Sequence, residues 1–183
     1  MKCVKIVGPK KLERAEMEYP EKKDKRVIID VVKAGICGSD IHNFESGEPV
    51  GLVMGHEFAG VVVDPGSRDD LKVGDHVTAL PISPCRKCFA CKSGNPQYCV
   101  HTWEDALGLA LTNPGAYSER ISVDASLVLK MPESVSFEEG AMVEPTAVGL
   151  HAIHLADIKV GDIVLVIGGG IIGIVSAMFE KME

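Results

Sequence analysis

The sequence predicts a fold that is mainly β with some α, a compact β-barrel followed by the start of an α/β unit. Three observations carry this prediction. Short β-type runs punctuated by Gly and Pro fill the chain up to Lys130. Four cysteines, Cys85, Cys88, Cys91 and Cys99, crowd fifteen residues inside that stretch. After Met131-Pro132 the pattern changes to helix-start signals and one fully apolar strand-type run that leads into glycines.

In chain order, Val4–Val7 reads as a strand, and Leu12–Lys25, polar and interrupted by Pro20, as an exposed loop or edge. Val27–Lys33 reads as a buried strand and Ala34–His42, rich in Gly, Ser and Asp, as a turn region. Gly55–Asp64 gives a strand closed by Asp64-Pro65-Gly66, and Val73–Leu80 a turn leading into another. Gly115–Val123 and Ser126–Lys130 return to strand. Ser136 and Glu139 form a capping-box signature, so a short helix starts there and breaks before Pro145. Pro145, a good first helical residue, starts a second helix toward Leu155. Ile163–Ile167 reads as a parallel-type strand and Ile174–Phe179 as an apolar helix. A domain boundary is expected around residues 131–160, with domains assigned as 1–150 and 151–183.

The cysteine spacing is C-x2-C-x2-C-x7-C. Cysteines three apart in a tight loop aim two sulfurs at one point, and a seven-residue return brings the fourth to complete a tetrahedron for Zn2+. Pro84, Gly94, Asn95 and Pro96 supply the turns. A four-thiolate site keeps no position for substrate, so its role is structural. Two disulfides or four free thiols are the alternatives.

A chain of 183 residues is one domain, or one and a piece. With 46% hydrophobic and 25% charged residues it can bury a real core. The net charge of −7, with no long basic run, argues against nucleic acid and anionic membrane as partners. The N-terminus lacks the apolar region of a signal peptide, and no run is long enough to span a bilayer. The cysteine usage fits a reducing, cytoplasmic home, with Cys3 as a strand-packing residue.

Candidate chemistry lies in Gly35–His42, Gly55-His56-Glu57 and Glu144-Pro145. Taken singly, Cys37 is an ordinary small hydrophobe and His56 an ordinary hydrogen-bonded histidine. Together Cys37, His56, Glu57 and Glu144 offer one thiolate, one imidazole and two carboxylates. That set suits a catalytic Zn2+, which needs three protein ligands and a position for water or substrate. Ser39 and His42 are candidates for a proton relay, and Asp40 for orienting the ligand imidazole. Gly168, Gly170 and Gly173 form G-x-G-x-x-G between an apolar strand and a helix, the context that makes this motif a dinucleotide-binding signal. A glycine-rich turn without a ligand is the alternative.

These motifs, in this order and across residues 1–183, resemble the N-terminal half of a zinc-dependent medium-chain alcohol/polyol dehydrogenase. Further matching segments are Val73–Val77 and Pro114–Glu119. The resemblance implies a GroES-like catalytic domain with a zinc lobe, followed by the first β-α of a truncated Rossmann domain. It implies a catalytic zinc on Cys37 and His56, with Glu57 entering the shell in some states. Glu144 would be a third protein ligand or reach the metal through water. Cys85, Cys88, Cys91 and Cys99 would hold a second, structural zinc. Ser39 and His42 match the proton relay, and Gly168, Gly170 and Gly173 the cofactor fingerprint. Glu144-Pro145 resembles the sorbitol, butanediol and related polyol branch. The implied reaction is reversible oxidation of a small alcohol or polyol, with alkoxide held on zinc and hydride passing to NAD or NADP. A homodimer or homotetramer is implied for the full-length enzyme.

Chains of that family are about twice this length, the size of two ordinary domains. The acidic residue that would read the cofactor ribose is expected about 20 residues past the glycines, beyond Glu183, so NAD and NADP are not distinguished. The 183-residue chain is expected to be inactive by itself, with Ile163–Phe179 displaced, mobile or packed on a neighbour. The alternative is a naturally short, non-catalytic zinc-binding module, and the alternative substrate is an amino alcohol such as threonine.

Overall fold

The computed structural model describes residues 1–180. It forms two compact units, Met1–Ala141 and Met142–Glu183. The predicted second domain's last three residues, 181–183, lie outside the described residues.

The first unit begins with a two-stranded antiparallel ribbon of β1 (Lys2–Gly8) and β2 (Lys11–Glu16). β2 is largely exposed, as its charged sequence requires. The main sheet contains β3 (Arg26–Ala34), β4 (Phe58–Asp64), β5 (His76–Ala79), β6 (Arg120–Asp124) and β7 (Val128–Lys130). Its spatial order is β6-β3-β4-β5-β7, and every pairing is antiparallel. Val27, Ile29, Phe58, Val62, Val77, Ile121 and Val128, drawn from all five strands, share one buried cluster. Burying such side chains is worth roughly 1.5–3 kcal/mol each, the main force holding the sheet closed over its core.

Helix α1 (Gly38–Ser46) follows β3 where the sequence suggested only a turn. Its N-terminus explains the difference. Cys37 is the N-cap, and Asp40 Oδ2 accepts the Cys37 N–H at 2.9 Å, satisfying a donor the helix cannot. Gly47, at φ 77°, ends the helix in the left-handed conformation, with its N–H on Asn43 O. The Gly, Ser and Asp that read as turn residues are therefore helix-boundary residues. Residues 115–119 also differ from the expected strand; Gly115, Ala116 and Tyr117 instead bond the 53–55 segment through their N–H groups. The unit ends in α3 (Phe137–Ala141), where Ser136 and Glu139 form the predicted reciprocal cap at 2.8 and 3.2 Å.

The second unit holds α4 (Val143–Ala156) and α5 (Ile171–Glu180). They approach closely at Gly149, where an added Cβ would fall 2.5 Å from Val175 Cγ2. The expected strand at Ile163–Ile167 does not form, so the first β of the Rossmann expectation is corrected. A strand exists only by pairing, and no described strand pairs with this segment, despite its β-forming side chains. Ile163 and Ile167 are 100% and 90% exposed. No helix among the described residues is long and apolar enough to cross a membrane.

Candidate functional site

Two clusters of potential metal ligands form in the first unit. In one, the sulfurs of Cys85, Cys88, Cys91 and Cys99 all lie within 4.8 Å of one another. The loop is shaped by the short helix α2 (Phe89–Lys92), a 3-10 turn at Pro96–Tyr98, and two left-handed residues, Arg86 (φ 61°) and Gly94 (φ 83°). Arg86 is anchored there by its guanidinium, which bonds Asp124 and Ser126 beside β6. None of the six cysteines is joined in a disulfide among the described residues.

Backbone N–H groups point at the sulfurs. Cys88 donates to Cys85 Sγ at 3.3 Å, while Cys85 and His101 donate to Cys99 Sγ at 3.3 and 3.4 Å. The N–H groups of Lys87 and Cys88 draw the Cys85 thiol down to about 6. Burial and the adjacent Cys88 sulfur push Cys91 up to about 12. Four sulfurs this close cannot all carry charge unless a cation compensates them, and a thiophilic divalent ion does so. The donor set fits Zn2+ and leaves no position for substrate.

The second cluster joins Cys37, His56 and Glu57, whose ligand atoms also lie within 4.8 Å of one another. Cys37 is delivered by the N-terminus of α1, and His56 and Glu57 by the segment entering β4. His56 and Glu57 are buried. Gly35 makes room for the carboxylate: an added Cβ would press on Glu57 Oε2 and lie 3.1 Å from Glu57 Cβ. The Gly35 N–H also bonds Glu57 O at 2.7 Å. Burial raises the Glu57 carboxyl above its ordinary 4.5, opposed by His56 and aided by the Asp40 carboxylate.

Asp40 is 2% exposed. Its Oδ1 stands 3.9 Å from His56 Nδ1. Both atoms, and Ser39 Oγ, are buried without a hydrogen-bond partner among the described residues. Buried polar groups are costly unless satisfied, so an unpartnered imidazole nitrogen clustered with a thiol and a carboxyl fits a site built for a further polar group. The set suits a catalytic Zn2+: one S, one N and one O donor, with a position left over.

His42 is exposed on α1, three positions beyond Ser39 and hence on the same helical face. Glu144 lies in the first turn of α4, in the second unit. Gly168 takes φ 108° and so needs to be glycine. At Gly173 an added Cβ would run into the Gly168 carbonyl, while Gly170 is open. The three thus form a tight turn at the start of α5.

Sequence reasoning missed Tyr117. Its hydroxyl lies 3.0 Å from both Asp40 Oδ2 and Gly35 O and donates to that pair. Burial, reinforced by Asp40, pushes this phenol above its ordinary 10.0, so it stays a donor. Its presence in the Pro114–Glu119 run was the only available signal.

Residues 23–133 match the alcohol dehydrogenase GroES-like domain. An uncharacterized zinc-type alcohol dehydrogenase-like protein, YdjJ, from Escherichia coli (strain K12) is 38% identical over 94% of this chain and 51% of its own. The sorbitol dehydrogenase of Bombyx mori is 36% identical over 91% and 49%. The crystal structure of 2R,3R-butanediol dehydrogenase from Bacillus subtilis superposes with TM-score 0.85 and 34% identity, over 99% of this chain and 55% of that one. The chain thus spans about half the length of the curated relatives it matches.

Proposed function

The chain belongs to the zinc-type alcohol dehydrogenase family through its GroES-like domain, and from that premise we propose that it is the metal-binding catalytic portion of an NAD(P)-linked alcohol or polyol dehydrogenase. The observation that carries the reading is the convergence of Cys37, His56 and Glu57, with His56 Nδ1 buried and unpartnered.

In this reading Cys37 and His56 would hold the catalytic Zn2+, with Glu57 entering its shell in some states; Glu144 is, by the resemblance alone, a third ligand or a group reaching the metal through water. Cys85, Cys88, Cys91 and Cys99 hold the structural one. A bound zinc supplies a Lewis acid that lowers the pKa of an alcohol hydroxyl. The protein's own groups do the rest. Asp40 Oδ1, 3.9 Å from His56 Nδ1, would orient the imidazole so that its other nitrogen is offered to the metal. Ser39 Oγ takes the substrate proton inside the site, and His42, three residues along the same face, passes it to solvent. Gly168, Gly170 and Gly173 would provide the turn that receives a dinucleotide pyrophosphate.

The proposed substrate is a small alcohol or polyol. Glu144-Pro145 and the likeness to a sorbitol and a butanediol dehydrogenase support that class over an amino alcohol. The proposed setting is cytoplasmic, with the full-length enzyme a homodimer or homotetramer. Domains are proposed at 1–150 and 151–183. Residues 1–183 by themselves are proposed to bind zinc without turnover, since Ile163–Ile167 has no described partner strand on which a cofactor fold could be built.

Native mass spectrometry of the purified chain tests this reading. Two zinc ions per chain are expected, one lost in Cys37→Ser and the other in Cys91→Ser. One ion or none in the wild type refutes the two-site assignment, and steady NAD(P)-dependent alcohol oxidation by these residues refutes the inactivity.

A further inference from the structure

Resting on the metal reading above, we propose that Tyr117 is a positioning residue for the Cys37, His56 and Glu57 cluster, acting through Asp40 and Gly35. One hydroxyl reaches the supports of all three candidate ligands. Asp40 Oδ2 receives the Tyr117 hydroxyl at 3.0 Å and the Cys37 N–H at 2.9 Å. Two donors on one oxygen restrain the carboxylate, whose other oxygen stands 3.9 Å from His56 Nδ1. The same hydroxyl lies 3.0 Å from Gly35 O, and Gly35 is the residue whose missing side chain leaves space for the Glu57 carboxylate.

The ring is held where its hydroxyl must act. The Tyr117 N–H bonds Met54 O at 2.9 Å, and the Val4 N–H bonds Tyr117 O at 2.8 Å. The ring packs against the buried cluster of Ile6, Leu52 and Met54. Gly55, next to His56, has φ 95°, and an added Cβ there would lie 2.7 Å from Tyr117 Cδ1. The backbone that delivers His56 therefore runs directly against the ring whose hydroxyl sets Asp40. A phenylalanine would keep the ring, its packing and these backbone bonds, and remove only the hydroxyl donor.

The test is zinc competition on the 183-residue chain with a chromophoric chelator at neutral pH. Cys37→Ser and Cys91→Ser identify which release phase belongs to which cluster. Outer hydrogen-bond partners of metal ligands are typically worth 10–100-fold in affinity. Tyr117→Phe is expected to weaken the Cys37-dependent phase about 10-fold and to leave the four-cysteine phase unchanged. Because Tyr117 works largely through Asp40, Tyr117→Phe combined with Asp40→Asn is expected to bind little more weakly than Asp40→Asn alone. Unchanged affinity in Tyr117→Phe overturns the proposal. So does equal weakening of both phases, which marks a loss of folding rather than of positioning. A wild-type chain with no Cys37-dependent zinc overturns the metal reading, and this inference with it.

Discussion

Two glycines on either side of Cys37 give a controlled comparison, because the same substitution meets opposite surroundings. Gly35→Ala places a methyl group against Glu57 Oε2 and 3.1 Å from Glu57 Cβ. The backbone cannot retreat easily: its N–H is bonded to Glu57 O at 2.7 Å and its carbonyl receives Tyr117 at 3.0 Å. The buried Glu57 side chain must therefore move. Overpacking of this kind costs about 1–3 kcal/mol. For a chain of this size each kcal/mol shifts the melting midpoint by roughly 2–4 °C, so a drop of about 2–12 °C is expected. Gly38→Ala, at the first residue of α1, meets nothing within 4 Å. Relief of the glycine penalty in a helix should leave stability unchanged or raise it by up to about 1 kcal/mol. Thermal unfolding by circular dichroism, with zinc content measured alongside, separates the two. Gly35→Ala should also lose zinc from the Cys37 cluster selectively, since it displaces a proposed ligand. Equal midpoints for the two variants would refute the argument that Gly35 exists to seat Glu57.

Two further outcomes follow from contacts distant from that cluster. The Lys130 ammonium, with the Lys72 N–H, holds the Asp75 carboxyl below its ordinary 3.8. A depressed folded-state pKa adds stability that is present above the unfolded value and lost as pH falls through the folded one. Asp75→Asn should therefore destabilise the chain at neutral pH and flatten its stability loss below about pH 4, read by urea unfolding across pH; an unchanged acid limb would dismiss this pair as a contributor. Arg86→Ala removes the tether to Asp124 and Ser126. It should quicken reaction of the four cysteines with a thiol reagent without altering the sheet, and an unchanged rate would show that the loop holds itself.

What the sequence made legible was what short-range chemistry decides. The four-cysteine spacing encodes a local loop, and Ser136 with Glu139 encodes a cap that closes over three residues. Pro145 marked the start of the second helix to within two residues, since α4 opens at Val143. Cys37, His56 and Glu57 were legible as a donor set, and their convergence followed from a family pattern rather than from spacing. What stayed hidden depends on distant partners. The Asp40–Tyr117 bond joins residues 77 positions apart, and no local feature of either announces it. Ile163–Ile167 has the side chains of a strand, but pairing is a property of two segments, and only one is present in the described structure. Ala34–His42 is ambiguous in sequence because Gly, Ser and Asp serve both turns and helix starts, and only the Asp40 bond to the Cys37 N–H distinguishes them.

The compactness of the four-cysteine loop has a consequence for the order in which the chain folds. All four sulfurs come from fifteen consecutive residues. The sheet, by contrast, closes only when Arg26 of β3 meets Asp124 of β6. Loop-closure entropy rises with the length of chain enclosed, and contacts between distant segments set the pace of folding. Metal capture by these cysteines encloses only this short loop, so its closure costs less entropy than the β3–β6 pairing. The Cys37 cluster has no such head start. Asp40 is held by Tyr117, 77 residues away, so its geometry waits on a contact between distant segments.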